Sequence, residues 1–394
     1  MSEVKNYAHI FCGNEMLDKY KLESQTDYEK TIPLEVFEVT NGVVHPLELS
    51  ETNVTENNQF GGVTDENLNF IELSLTKREG PPNFSRTFNN WYKGANPKLP
   101  TLDIEYVDED VVFIGALSKH YGHFILEGLA RLWYLLEPAH MKYKCVFISE
   151  EGEDRFNACF KLFGIKEKNI IRISKPTQFR TVIVPEQSIR LHDFYHIKYK
   201  ETIDKIIAHV EPKKFKKVYF SKNRGGNNRA IGEASIDKVF SENGFNVFCT
   251  EGMSIEDTIS ILKGCEEFAA TSATAIHNSI FLTDRTKCIC LNRSAHFHPV
   301  QTMIDRMREL DSIYVDAFLF SSDKNFGDAP CLLAPTKYLV RFYEEHNFRF
   351  NKFFIYTSGS GYFYKYIYLM AWLKLGFKSI KSILKRLHQK DVTS

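Results

Sequence analysis

Short apolar, β-branched runs alternate with amphipathic stretches through the middle of the chain. The runs cover residues 111–117, 145–149, 170–174, 181–185, 218–221, 245–249, 268–271 and 288–291, lengths that suit strands. Between them apolar residues recur at helical spacing over 122–136, 154–163, 194–210, 233–242, 255–263 and 303–310. Strand and helix in alternation predict a parallel, doubly wound α/β architecture, in which ligands bind beyond the carboxyl ends of the strands.

Residues 1–100 read differently. They are rich in Asn, Glu and Thr, are broken at Gly61-Gly62 and Gly80-Pro81-Pro82, and predict no clear element order. Glu211-Pro212-Lys213-Lys214 ends one helical pattern and restarts the alternation. The expected division is therefore an α/β domain over 1–210, a second over 211–330, and C-terminal helices with a basic aromatic tail over 331–394. The tail is aromatic from Tyr362 to Phe377. With Lys365, Lys374, Lys378, Lys381, Lys385, Arg386 and Lys390 it carries seven cations against one acid, Asp391. Such a helix lies at an anionic lipid surface or packs on the protein itself, and its internal lysines make it a poor membrane span.

Composition narrows the classes. Fifty basic residues balance fifty acidic ones, so no global field holds a nucleic acid, and any anion site must be local. The eight cysteines are scattered, mostly in apolar runs, and Cys288-x-Cys290 has no second pair to complete a zinc site. They predict buried thiols in a reducing, cytoplasmic setting. Residues 1–6 show no secretory pattern.

Three segments follow predicted strands and carry reactive groups. In the first, His123, Glu127 and Arg131 are four apart and share one face of a helix begun near Gly122, as an acid/base site or as a surface ladder of Glu127 with Arg131. In the second, Ser221, Lys222, Arg224 and Arg229 surround Gly225-Gly226, as an anion cradle or as a solvated basic turn. In the third, Ser272, Ala273 and Thr274 turn a buried strand into a helix bearing His277 and Asn278. That turn is either an anion site or ordinary capping by Ser272, and His277 is either functional or a core histidine. Asp108-Glu109-Asp110 precedes its strand, which favours a solvated turn over a metal-binding triplet.

Gly122-His123-Phe124-x-x-Glu127, Val218-Tyr-Phe-Ser-Lys-Asn-Arg with Arg229, Asn243-Gly-Phe-Asn-Val, Glu251-Gly-Met-Ser254 and Ala275-Ile-His-Asn278 together resemble glycosyltransferase family 61. The resemblance implies two Rossmann-like domains of GT-B type and inverting, metal-independent transfer from a nucleotide-sugar donor to a glycan or glycolipid acceptor, with no cofactor. It implies a catalytic pair at His123 and Glu127, with Glu127 taking the acceptor proton. Donor contacts then fall on Ser221, Lys222, Arg224, Arg229, Glu251, Ser272, Thr274, His277 and Asn278. Ser272 and Ala273 replace the histidine and glycine of the family's turn. Members of this kind are mostly bacterial capsule or surface-polysaccharide enzymes, which places the chain in the cytoplasm or peripherally at the inner membrane face. A glycan-binding assembly protein without catalysis, or a transferase of a phosphate-bearing unit, would use the same cleft.

Overall fold

The structure is a computed structural model describing residues 9–49, 59–78, 86–87, 104–149, 154–222, 230–295, 299–321, 331–351, 369–370 and 373. Arg224 and Arg229 lie outside the described residues, as does most of the aromatic basic tail. Leu369, Met370 and Leu373, which do not, are helical and exposed. Among the described residues no helix is long and apolar enough to cross a membrane.

The protein is mixed α/β. One large sheet has a parallel centre formed by Thr177–Pro185, Glu105–Leu117, Lys144–Ser149 and Ile170–Arg172. Val36–Thr40 and Val43–Leu49 pair antiparallel with Thr177–Pro185, and Gln59–Thr64 extends that edge. The poorly legible residues 1–100 therefore supply its antiparallel border. The second sheet is parallel throughout, in the order Ile10–Phe11, Asp311–Asp316, Lys287–Asn292, Glu267–Thr271, Lys217–Ser221, Asn246–Cys249. Its first strand comes from the chain start, since Ile10 and Phe11 pair with Tyr314 and Val315.

Both faces of both sheets are covered, which is why these strands read as nearly continuous apolar runs. Side chains alternate between two cores. Val112 and Ile114 face one with Phe124 and Phe160, while Val111 and Phe113 face another with Val146 and Val182. Val218 and Phe220 join the first core, and Tyr219 points to a third with Phe240 and Phe342. The first core is continuous between the sheets: Phe156 and Ile203 belong to it, and so do Ile259 and Phe281.

Helices Asp154–Phe163, Glu233–Glu242 and Ile255–Lys263 lie where their periodicity predicts. The others differ. The pattern over 194–210 resolves into a two-residue strand and the helix Ile197–Ala208. That over 303–310 belongs to a helix beginning earlier, Pro299–Met307. The stretch 122–136 is not one helix. A single α-turn, Tyr121–His123, widens into a π-turn at Phe124–Gly128 and tightens to 3₁₀ geometry at Leu132–Leu136. Asp108, Glu109 and Asp110 form neither a turn nor a metal site. They lie within the strand Glu105–Leu117, where Arg180 pairs with Asp108 and Asp110 and Lys144 pairs with Glu109. Seven cysteines are buried and Cys249 is half-buried; none is in a disulfide.

Candidate active site

The reactive segments emerge where the strands end. Across the second sheet, Ser221 is in register with Cys249, Phe220 with Ala270, and Thr271 with Leu291. Glu251, Lys222, Ser272 and Arg293 therefore leave four neighbouring strands along one edge. Lys222 is half-buried there. Burial pushes its ammonium pKa down to about 8 and Arg293 pushes the same way, against Glu233 and Glu251. An anion is the missing partner such a crowded pair of cations favours.

From the first sheet, the segment after Leu117 crosses to this edge. The Tyr121 hydroxyl donates to Asn278 Oδ1 at 2.7 Å. Asn278 Nδ2 in turn donates to the carbonyls of Thr274 and Ala275, which fixes its amide. Gly122 lies so close that a Cβ there would sit 3.2 Å from the Thr274 side chain. His123 and His120 are near enough to act, with Lys222, on the charge of His277. His123, Lys222, Thr274, His277, Asn278 and Arg293 are thus brought together.

His123 and Glu127 are hydrogen-bonded, Nδ1 to Oε2 at 2.7 Å. Glu127 is buried, at 3%, whereas the His123 side chain is 37% exposed. The other Glu127 oxygen accepts from Arg78 Nε. Burial pushes the Glu127 carboxyl up, but Arg78 and His123 outweigh it and hold the group below the ordinary glutamate range. Glu127 is therefore a fixed carboxylate with both oxygens engaged. The surface ladder with Arg131 does not form, because the π-turn rotates Arg131 away from the stripe. Its guanidinium is buried and donates to the carbonyls of Pro185, Leu73 and Leu75. It thereby clasps the segment leading to Arg78. Gly115, at φ +113°, leaves room for it, since a Cβ would come within 2.9 Å of Nη1.

At the turn after Glu267–Thr271, Ser272 does not cap the helix. Its hydroxyl accepts from the Arg293 backbone N–H at 3.1 Å, tying two strand ends together. The residue before the helix Thr274–His277 is Ala273, at φ 101° and ψ −154°, a conformation natural only to glycine. His277 is buried and bonded to Gln301, not to a backbone carbonyl.

Two site residues stand apart from this group. Ser221 donates to Asp237 Oδ2 at 2.9 Å and lines a separate cleft of about 310 Å³ with Lys238, Ser241 and Cys249. Glu251 is exposed and reaches Lys222 only through its field. Three residues escape sequence reasoning. Arg78 lies in the illegible N-terminal region. Arg293 directly follows a strand, the same positional signal that marks Lys222. Gln301 carries no signal, being a polar residue within a helical pattern.

Residues 121–289 match the family described as Glycosyltransferase 61, and this match supports a glycosyltransferase. A crystal structure of the dodecameric iron-containing heptosyltransferase TibC in complex with ADP-D-beta-D-heptose is similar over 69% of this chain and 83% of that one, at 8% identity and a TM-score of 0.27. A likeness that faint carries no argument. No curated protein matches the chain.

Proposed function

We propose that the chain is an inverting, metal-independent glycosyltransferase that moves a sugar from a nucleotide-sugar donor to a glycan or glycolipid acceptor in bacterial capsule or surface-polysaccharide synthesis. The observation that carries this reading is the half-exposed His123, held by a buried carboxylate, beside an edge bearing Lys222 and Arg293. Its frame is a GT-B pair of Rossmann-like domains, 1–210 and 211–330, with the chain start lending an edge strand to the second. The tail over 331–394 is proposed to touch anionic membrane. Loss of pelleting with anionic vesicles on truncation after Asn351 is the expected sign.

His123 replaces Glu127 as the proposed base, for a geometric reason. A base must reach the hydroxyl it deprotonates, and Glu127 is buried with both oxygens hydrogen-bonded. Its carboxylate instead orients the imidazole through Nδ1 and stabilises the imidazolium as it forms. The acceptor oxygen attacks the anomeric carbon as its proton passes to His123 Nε2. The bond from that carbon to the diphosphate oxygen breaks, and the electron pair leaves with the diphosphate. Lys222 and Arg293, with Arg224 and Arg229 of the same segment, would neutralise that departing charge.

Nucleotide release measured over a panel of UDP-, GDP- and CMP-sugars, with product stereochemistry by NMR, tests the reading. Release that depends on acceptor, with inversion, and that falls at least ~100-fold in His123→Ala is expected. Glycan binding without nucleotide release would return the chain to an assembly role.

A further inference from the structure

His277 ends the helix Thr274–His277 and faces the edge that holds Lys222, His123 and His120. Behind it, the helix Pro299–Met307 presents Gln301 and Asp305, four residues apart on one face. His277 Nδ1 lies 3.2 Å from Gln301 Oε1. Gln301 Nε2 donates to Asp305 Oδ1 at 2.8 Å and to Ser279 Oγ at 2.9 Å. The Tyr314 hydroxyl donates to the other Asp305 oxygen.

These contacts allow one arrangement of hydrogens. A carboxylate only accepts, so the Gln301 atom against Asp305 must be its NH₂ group. The Gln301 carbonyl is then turned to His277. A carbonyl also only accepts, so His277 Nδ1 must carry a hydrogen. Burial pushes the Asp305 carboxyl up to about 6, which leaves it ionised at pH 7.5. Burial pushes the imidazole down to about 4, so His277 is neutral and its Nε2 has no hydrogen.

We propose that Asp305 and Gln301 are positioning residues that lock His277 in the Nδ1–H tautomer, making Nε2 an obligate acceptor for a hydroxyl of the donor sugar. The second half of this proposal rests on the nucleotide-sugar reading; the tautomer does not. Lys222 and Arg293 can only donate, which suits phosphate oxygens and not the hydrogen of a hydroxyl. A buried nitrogen that can only accept distinguishes a sugar hydroxyl from a bare anion, and sites built this way reject ligands that lack the hydroxyl.

The test uses the full chain labelled with [¹⁵N]histidine. Long-range ¹H–¹⁵N spectra at pH 7.5 are compared with those of His277→Gln, which assigns the His277 signals by their loss. One protonated Nδ1 and one bare Nε2 are expected. In Asp305→Asn the partner amide can face Gln301 either way, so the single tautomer should give way to a mixture. Gln301→Met serves the same purpose should Asp305→Asn fail to fold. Dissociation constants are then measured for the nucleotide sugar and for the matching nucleoside diphosphate. Asp305→Asn should weaken the sugar nucleotide about tenfold and leave the diphosphate unchanged. A protonated Nε2 in the wild-type spectrum, or equal weakening of both ligands, overturns the proposal. The expected tautomer in a chain that binds neither ligand would sink the sugar-acceptor half together with the glycosyltransferase reading, and leave the positioning of His277 standing.

Discussion

The Tyr121 hydroxyl donates to Asn278 Oδ1 at 2.7 Å, across 157 residues of sequence. It joins the segment carrying His123, which follows a strand of the first sheet, to the turn that follows a strand of the second. Its neighbour Gly122 brings the two backbones close, and the distance from the imidazole to the cationic edge depends on this contact.

Tyr121→Phe removes only the hydroxyl and leaves a partly buried amide oxygen without that donor. A loss of about 1–2 kcal/mol in denaturant unfolding is expected. Turnover should fall about tenfold while nucleotide affinity stays within twofold, because the change displaces the base and not the cations. Equal losses in both would mean that the bond supports the fold alone.

Glu127→Gln leaves the Arg78 guanidinium without its buried counter-charge, which should cost about 3–5 kcal/mol of stability. Transfer should drop by ~10²–10⁴-fold as the imidazole loses its orienting carboxylate. Adding Arg78→Met removes the orphaned cation, so the double variant should regain stability in thermal unfolding and remain inactive. Recovery of turnover in the double variant would exclude Glu127 from the chemistry.

Ala273 holds a backbone conformation suited to glycine, at φ 101°. Ala273→Gly relieves strain of about 1–3 kcal/mol at an entropic cost of about 0.5–1 kcal/mol, so a net gain of roughly 1 kcal/mol is expected. Chemical denaturation reads it directly. Unchanged or reduced stability would show that the turn relaxes around the alanine in solution.

Lys222 is depressed to about 8, first by burial and then by Arg293. Above that pH it loses its charge, so affinity for a diphosphate should weaken as pH rises from 7 to 9, while binding takes up protons. Calorimetry in buffers of different ionisation enthalpy measures that uptake. Lys222→Arg keeps its charge over this range and should flatten the dependence. A flat profile in the wild type would remove Lys222 from the anion site.

Much of the frame was legible because strand and helix periodicities are local properties. Residues 233–242 and 255–263 each show one apolar face, and that face is what the parallel sheet covers. The stretch 122–136 shows the same spacing and folds otherwise. Glu127 and Arg131 are both buried charged groups whose partners lie elsewhere, Arg78 for one and three backbone carbonyls for the other. Satisfying both outweighs a regular helix, since an unpaired buried charge costs more than the strain of a widened turn.

By itself the sequence determined which segments alternate as strand and helix, and that reactive side chains follow the strands at 221–222, 271–274 and 117–123. Tertiary structure alone decided that Arg78 completes the Glu127 pair, that Arg293 stands beside Lys222, and that Asp305 dictates through Gln301 which nitrogen of His277 bears a hydrogen. Hydrophobic period is written into neighbouring residues, whereas charge pairing and tautomer are set by groups that only the packed sheets bring within hydrogen-bonding distance.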